Sequence, residues 1–244
     1  MRDTSFETFV TGIGFRWIQP RAPLSRVQSS LRARLDRTPL PLDACITSLP
    51  ERGVELRRRL LPVCRVPRMS TFAVASIIND AVSRLSPGSA FVNVGVWNGF
   101  TLLSGMAGNA GRSCIGVDNF SEFGGPRDPF LARFERARGE GHRFYDMNYQ
   151  DYFARQHSVP IGVYFYDGAH SYEHQLAGLE VAEPFFSRDC IILVDDTNSP
   201  APRQATADFL AARPGRYRVL LDQQTSANGH PTFWNGLMVI QGVS

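Results

Sequence analysis

Two short apolar runs, Ile161-Gly162-Val163-Tyr164-Phe165-Tyr166 and Cys190-Ile191-Ile192-Leu193-Val194, each end abruptly in acid. Their β-branched and aromatic content predicts strands buried on both faces, as in a parallel sheet. The first stops at Asp167-Gly168-Ala169-His170 and the second at Asp195-Asp196-Thr197-Asn198. Between them, Ser171 or Asp167 is placed to cap a helix through Glu180, with Glu173 in its first turn and Pro184 at its far end. Two parallel strands then deliver three carboxylates and an imidazole to one edge. Open α/β sheets bind their ligands outside that carboxyl edge.

Three acids at close range must either raise a pKa or recruit a cation. An all-oxygen set suits Mg²⁺ or Mn²⁺. Adjacent residues of a regular strand face opposite ways, so Asp195 and Asp196 share a cation only where the strand is already turning. Otherwise one of them caps the next helix or meets an arginine.

A chain of 244 residues with 43% hydrophobic content can bury one sizeable core, so one domain with a small appendage is expected. No apolar run approaches the roughly 18 residues of a membrane span, and Met1 to Trp17 lacks the apolar centre of a signal peptide. Cys45, Cys64, Cys114 and Cys190 show no C-x-x-C spacing and read as reduced residues of a cytoplasmic protein. Every basic residue is arginine. Residues 1–68 carry 13 Arg against 6 acids, whereas the remainder carries 13 against 17. These arginines are dispersed among prolines and leucines, without one basic helical face or stacking aromatics, so nucleic acid is not the expected partner. A small molecule is.

Residues 1–68 are expected to form an Arg/Pro-rich extension, helical near Glu51 to Leu61, that packs over the active edge or a partner subunit. A homo-oligomer is therefore left open. Residues 69–244 form the main domain. Its first helix is expected from Ser70 to Leu85, with Val74, Ile78, Val82 and Leu85 on one stripe. Ala90 to Val94 is a strand, Gly95-Val96-Trp97-Asn98-Gly99 a tight loop, and a helix follows through Met106. An indole at 97 would block a pyrophosphate from the backbone, so the loop suits a ligand that has an adenosine but no phosphate. Strand Ser113 to Asp118 ends in an acid at the spacing expected for ribose hydroxyls. Asp118 and Asn119 are candidate cofactor contacts, as are Tyr145 and Asp146 at the tip of a third strand from His142. Tyr149 to Gln156 and Ala201 to Ala212 are expected helices. Tyr217 to Asp222 and Gly236 to Gln241 close the sheet as an antiparallel hairpin. Its loop carries Asn228, His230, Phe233 and Trp234, placed either on the active edge or in ordinary loop packing.

Gly95 and Gly99 after the first strand, Asp118 after the second and the terminal hairpin together resemble a class I S-adenosylmethionine-dependent methyltransferase over roughly residues 70 to 241. Tyr166-Asp167-Gly168-Ala169-His170-Ser171-Tyr172-Glu173 and Ile192-Leu193-Val194-Asp195-Asp196-Thr197 are similar to motifs of the macrocin O-methyltransferase family, whose relatives include cephalosporin-hydroxylase-like proteins. The resemblance implies a Rossmann-like α/β fold, a mostly parallel seven-stranded sheet of order 3-2-1-4-5-7-6 with helices on both faces. It implies S-adenosylmethionine as cofactor, Mg²⁺ on Asp167, Asp195 and Asp196, and a base at His170. The reaction implied is methylation of a hydroxyl, often on a sugar of a natural product. One departure is Asn93, where the family commonly has an acid: its amide carbonyl can accept from the cofactor's ammonium group without charge assistance. A repurposed homologue, hydroxylase-associated or binding cofactor without transferring methyl, is the alternative. His170-Ser171-Tyr172-Glu173-His174 also spells the zinc-protease pattern H-x-x-E-H. A third ligand is the obstacle, because no glutamate occurs after Glu183.

Overall fold

The computed structural model describes residues 5–23, 41–50 and 53–243. Within the first of these, α1 (Phe6–Thr11) is capped by Ser5, whose Oγ accepts from the Thr8 amide at 3.1 Å. Strand β1 (Gly14–Phe15) pairs antiparallel with β2 (Thr47–Ser48), which follows α2 (Leu42–Ile46). Helix α3 (Gly53–Leu60) then leads to α4 (Phe72–Ser83). The expected start of α3 at Glu51 lies outside the described residues. So do residues 1–4 and 24–40 of the predicted extension.

From α4 onward the chain alternates. Strand β3 (Ala90–Val94) is followed by α5 (Phe100–Met106), β4 (Ser113–Asp118) by α6 (Arg127–Ala137), and β5 (His142–Asp146) by α7 (Tyr149–Arg155). Then β6 (Ile161–Tyr166) is followed by α8 (Tyr172–Ala182), and β7 (Phe186–Asp195) by α9 (Pro200–Ala211). The hairpin β8 (Tyr217–Gln223) and β9 (Leu237–Gly242) closes the sheet. Its order is β5-β4-β3-β6-β7-β9-β8, parallel except where β9 meets β7 and β8. Counted from β3 as the first strand of this sheet, that is 3-2-1-4-5-7-6, a Rossmann-like α/β arrangement.

Side chains alternate across each buried strand, and the core divides accordingly. Phe91, Val163, Phe165, Leu193 and Val239 pack with α4, α5 and α6 on one face. Val92, Val94, Tyr164, Tyr166, Val194 and Ile240 pack with α7, α8 and α9 on the other.

Helix α4 starts at Phe72, not Ser70, because Thr71 caps it through Oγ1. It is buried on every side instead of along one stripe. The reason is the segment before it: Phe6, Phe9, Val10, Ala44, Leu56 and Leu60 join the same core cluster. Asp43 holds Arg68 through both carboxylate oxygens, at 2.6 and 2.8 Å, and accepts from the Phe72 amide at 2.6 Å. The segment also reaches the loop between β8 and β9. The Phe15 and Phe233 rings meet edge-on at 5.2 Å, and the Pro20 carbonyl accepts from the Ser226 amide at 2.9 Å. Among the described residues Cys64, Cys114 and Cys190 are buried free thiols, while Cys45 is exposed. No described helix is long and apolar enough to cross a membrane.

Candidate active site

The parallel strands β3, β4, β6 and β7 bring their carboxyl ends to a cavity of about 350 Å³. Its deepest polar feature is built by two neighbouring strands. The Asp167 amide, directly after β6, donates to the Val94 carbonyl at 2.9 Å. Gly95 makes this approach possible: its φ is +78°, and a Cβ there would lie 1.9 Å from the Asp167 carbonyl oxygen. Asp195 is the last residue of β7 and is 3% exposed. Asp196 has a φ of +56°, in the left-handed region. The strand is thus already turning at Asp196, and both neighbouring carboxylates line the cavity.

His170 completes the group. Its Nε2 lies 3.7 Å from Asp167 Oδ1 and 3.5 Å from Asp196 Oδ2, the sole basic side chain among the described residues within ion-pair reach of these acids. The His170 Nδ1 and Asp195 Oδ1 are buried without a hydrogen-bond partner among the described residues. Burial, and then the charges of Asp195 and Asp196, push the Asp167 carboxyl well above the usual carboxylate range. The Asp167 side chain keeps 28% of its surface open. That surface faces a concave cavity, where solvent screening is weak. Asp195 is raised by its burial and then by Asp196. Such a set holds more negative charge than it can stabilise alone, and its oxygen donors suit a hard divalent cation. Among the described residues no three His, Cys, Asp or Glu side chains stand in a ready-made metal cage.

The loop after β3 and the end of β4 form the other side. Asp118 Oδ2 accepts from the Val96 and Trp97 amides, both at 2.8 Å, and Oδ1 from the Phe120 amide at 2.7 Å. A carboxylate has about four acceptor positions, so Asp118, which lines the cavity, retains one for a ligand hydroxyl. Trp97 lines it too, at a φ of +45°, with Nε1 donating to the Phe123 carbonyl at 3.0 Å. Gly95 and Asn119 are also in the wall.

Four predicted contacts stand back from the cavity. Asn93 is fully buried, donates from Nδ2 to the Gly95 carbonyl at 3.0 Å, and leaves Oδ1 unpartnered. Gly99, with φ +95°, makes room for the Phe130 ring, which a Cβ would approach to 2.8 Å. The Tyr145 ring packs on Tyr152 at 4.8 Å between centroids, and Asp146 pairs with Arg127 at 2.5 Å. Met147, Asn148 and Tyr149 line the cavity instead. Asn148 caps α7 by accepting from the Gln150 amide at 2.8 Å, and this cap is the signal that the chain turns across the sheet edge just past the strand tip.

Of the hairpin loop, Trp234 lines the cavity with its neighbour Asn235. Phe233 is in the core, His230 is buried and bridged to Trp234, and Asn228 accepts from Asn198 at 3.3 Å. The H-x-x-E-H pattern does not assemble a zinc set. His170 turns to the aspartates before α8 begins, whereas His174 Nδ1 bonds the capping Ser171 Oγ at 3.0 Å and Glu173 is exposed.

The fold has well-covered counterparts. A structure from Corynebacterium glutamicum is 16% identical, with a TM-score of 0.58 over 90% of this chain and 98% of that one. The TDP-rhamnose 3'-O-methyltransferase of calicheamicin biosynthesis, also 16% identical, gives 0.54 over 89% and 96%. An O-methyltransferase from Bacillus cereus in complex with SAH is 14% identical and gives 0.52 over 87% and 97%. No curated protein matches the sequence. Residues 92–197, from the middle of β3 to just beyond the Asp195-Asp196 pair, match a family model described as a methyltransferase domain, and the fold that carries them is the class I methyltransferase fold.

Proposed function

We propose that this chain is an S-adenosylmethionine-dependent O-methyltransferase that acts on a hydroxyl of a small molecule, a sugar or natural product, with help from Mg²⁺. The observation that carries the reading is one cavity with two chemically distinct sides. Asp118 and the Gly95–Gly99 loop provide a place for an adenosine, and Asp167, Asp195, Asp196 and His170 gather opposite. The matched domain and the SAH-bound Bacillus cereus neighbour support the donor. The TDP-rhamnose neighbour supports a sugar acceptor.

Asp167, Asp195 and Asp196 would hold a Mg²⁺, which when bound would supply acidity to an acceptor hydroxyl, and S-adenosylmethionine would supply the electrophilic methyl group. His170 takes the hydroxyl proton on Nε2, which requires the neutral ring to carry its own proton on Nδ1. The imidazolium so formed faces the Asp167 and Asp196 carboxyl groups at 3.7 and 3.5 Å, which favour the protonated ring where they are ionised. Asp118 would hold the donor end through one hydroxyl of its ribose, with the acceptor position that it keeps free, and Trp97 walls the loop beside it. Asn93, set behind the cavity wall, would act on the donor's ammonium group only through the Gly95 carbonyl that its Nδ2 holds. Alignment of donor and acceptor across the cavity supplies much of the remaining acceleration.

The test is methyl transfer to a library of hydroxylated acceptors, followed by mass spectrometry, with and without exhaustive chelation. The proposal expects a methylated product, loss of activity in chelator and recovery with Mg²⁺. S-adenosylhomocysteine should also raise the melting temperature, by mass action of about 2.7 kcal/mol at a hundredfold excess over Kd. No thermal shift removes the donor site, and a full rate in chelator removes the metal.

A further inference from the structure

His170 is held by surprisingly little of its own. Its Nδ1 has no partner among the described residues, and its Nε2 meets carboxylates only at 3.5 and 3.7 Å. A ring with such weak tethers takes its direction from the backbone that carries it. That backbone is the short loop between β6 and α8, and Tyr166 holds it on both sides of His170.

Tyr166 is the last residue of β6 and is fully buried. Its hydroxyl lies 3.2 Å from the Ala169 carbonyl, immediately before His170, and 3.0 Å from the His174 carbonyl in the first turn of α8. The two bonds bracket His170. The ring occupies the space beneath α8: a Cβ on Gly178 would lie 2.1 Å from it, and one on Gly168 would lie 3.1 Å from its hydroxyl. Both glycines are therefore where a tyrosine under this loop needs them.

One phenolic proton cannot fully serve two carbonyls. A second comes from Tyr149, whose hydroxyl lies 3.4 Å from the same His174 carbonyl and whose ring stands edge-on to Tyr166 at 5.8 Å. Burial pushes both phenols above their ordinary range, so both remain donors at physiological pH. Tyr149 also lines the cavity, beside Met147 and Asn148 on the Asp118 side.

We propose that Tyr166 is a positioning residue that sets the direction of the His170 imidazole through the Ala169 and His174 carbonyls, and that Tyr149 extends this hold to the donor wall. The proposal rests on the reading of His170 as the base, and adds to it the device that aims the ring. Contact on Tyr149 from the donor side then tightens the loop that presents His170 to the acceptor.

The test is imidazole ¹H–¹⁵N spectroscopy of the full chain, without substrate, for Tyr166→Phe and Tyr149→Phe. Tyr166→Phe should shift the His170 ring resonances, with those of His142 and His157 unmoved. Tyr149→Phe should do the same to a smaller degree. If turnover is found, Tyr166→Phe should lower kcat about tenfold with the donor KM unchanged. Coincident His170 signals in wild type and in folded Tyr166→Phe overturn the proposal. If Tyr166→Phe does not fold, unmoved His170 signals in Tyr149→Phe overturn it instead. The spectra need no turnover, so a chain that transfers no methyl group defeats the functional reading while leaving this measurement to decide the positioning.

Discussion

Replacing Gly95 by alanine tests the junction on which the site depends. Gly95 has a φ of +78°, where an L-residue costs about 1–2 kcal/mol. The new Cβ would also sit 1.9 Å from the Asp167 carbonyl oxygen and 2.6 Å from its carbon. These are backbone atoms of a residue tied to Val94, so no rotamer change relieves the overlap. Forced overpacking typically costs about 1–3 kcal/mol. Gly88 separates the two effects: its φ is +83°, and nothing lies within 4 Å of the place a methyl group would take there. Gly88→Ala therefore carries the conformational cost alone, and both substitutions lose the same unfolded-chain entropy. At about 2–4 °C per kcal/mol for a chain of this size, Gly95→Ala should melt roughly 2–12 °C below Gly88→Ala. It should also lose part of its thermal response to S-adenosylhomocysteine, because the shift is taken up where the loop meets Asp167. Calorimetry of the two variants at one pH is the assay. Equal melting temperatures would refute the account of β3 and β6 locked together through a missing side chain.

Asp195→Asn should stabilise the ligand-free protein near neutral pH while abolishing the site's chemistry. Its carboxyl is raised by burial and by Asp196, so the native state binds protons that the unfolded chain, near pKa 3.9, releases. Stability from this group is present at acid pH and lost as pH rises through the folded pKa, at about 1.4 kcal/mol per tenfold of proton affinity. The variant's advantage should shrink as pH falls toward about 4, and a variant no more stable than wild type contradicts this. Asp43→Ala removes the bidentate partner of Arg68, whose side chain is 13% exposed, together with the acceptor of the Phe72 amide. A loss of about 3–5 kcal/mol in urea denaturation is expected, and a change under 1 kcal/mol, roughly the worth of a surface pair, would show the pair to be dispensable. Deleting residues 1–60 strips Phe6, Phe9, Val10, Leu56 and Leu60 from the cover of α4. The truncated chain should not unfold cooperatively, and a sharp thermal transition in circular dichroism would overturn that expectation.

The main sheet was legible because its strands are buried on both faces. Such strands read as unbroken apolar runs, and their ends in acid mark the functional edge. Residue type left Ser171 or Asp167 as the cap of α8, and the structure uses Ser171. Local pattern gave out where the conformation is set from far away. Strand β7 begins at Phe186 although Ser187-Arg188-Asp189 looks like loop, because pairing with β6 continues through an irregular register near Ile161. The left-handed turn at Asp196, which lets two adjacent acids share a cavity, has only a weak signature, because aspartate visits that region more than most residues but far less than glycine. Tyr145 and Asp146 stand at a strand tip, yet the wall is made by the next three residues, whose turn across the edge depends on the Asn148 cap. In the N-terminal segment, Phe6, Phe9 and Val10 gain their meaning from partners that composition does not reveal.

Those partners have a consequence for how the protein is made. Helix α1 packs against β8, Glu7 pairs with Arg218 at 2.8 Å, and Phe15 meets Phe233. A helix near residue 10 therefore docks on a hairpin that is synthesised about two hundred residues later. At about 5–20 residues per second, the β8 side of α1 waits on the order of ten seconds or more for its partner. Until then α1 has only α4 to pack on, and completing its cover requires contacts of long sequence separation, which form slowly. A chaperone that reads exposed aromatics has a target in α1 until β8 and β9 are in place.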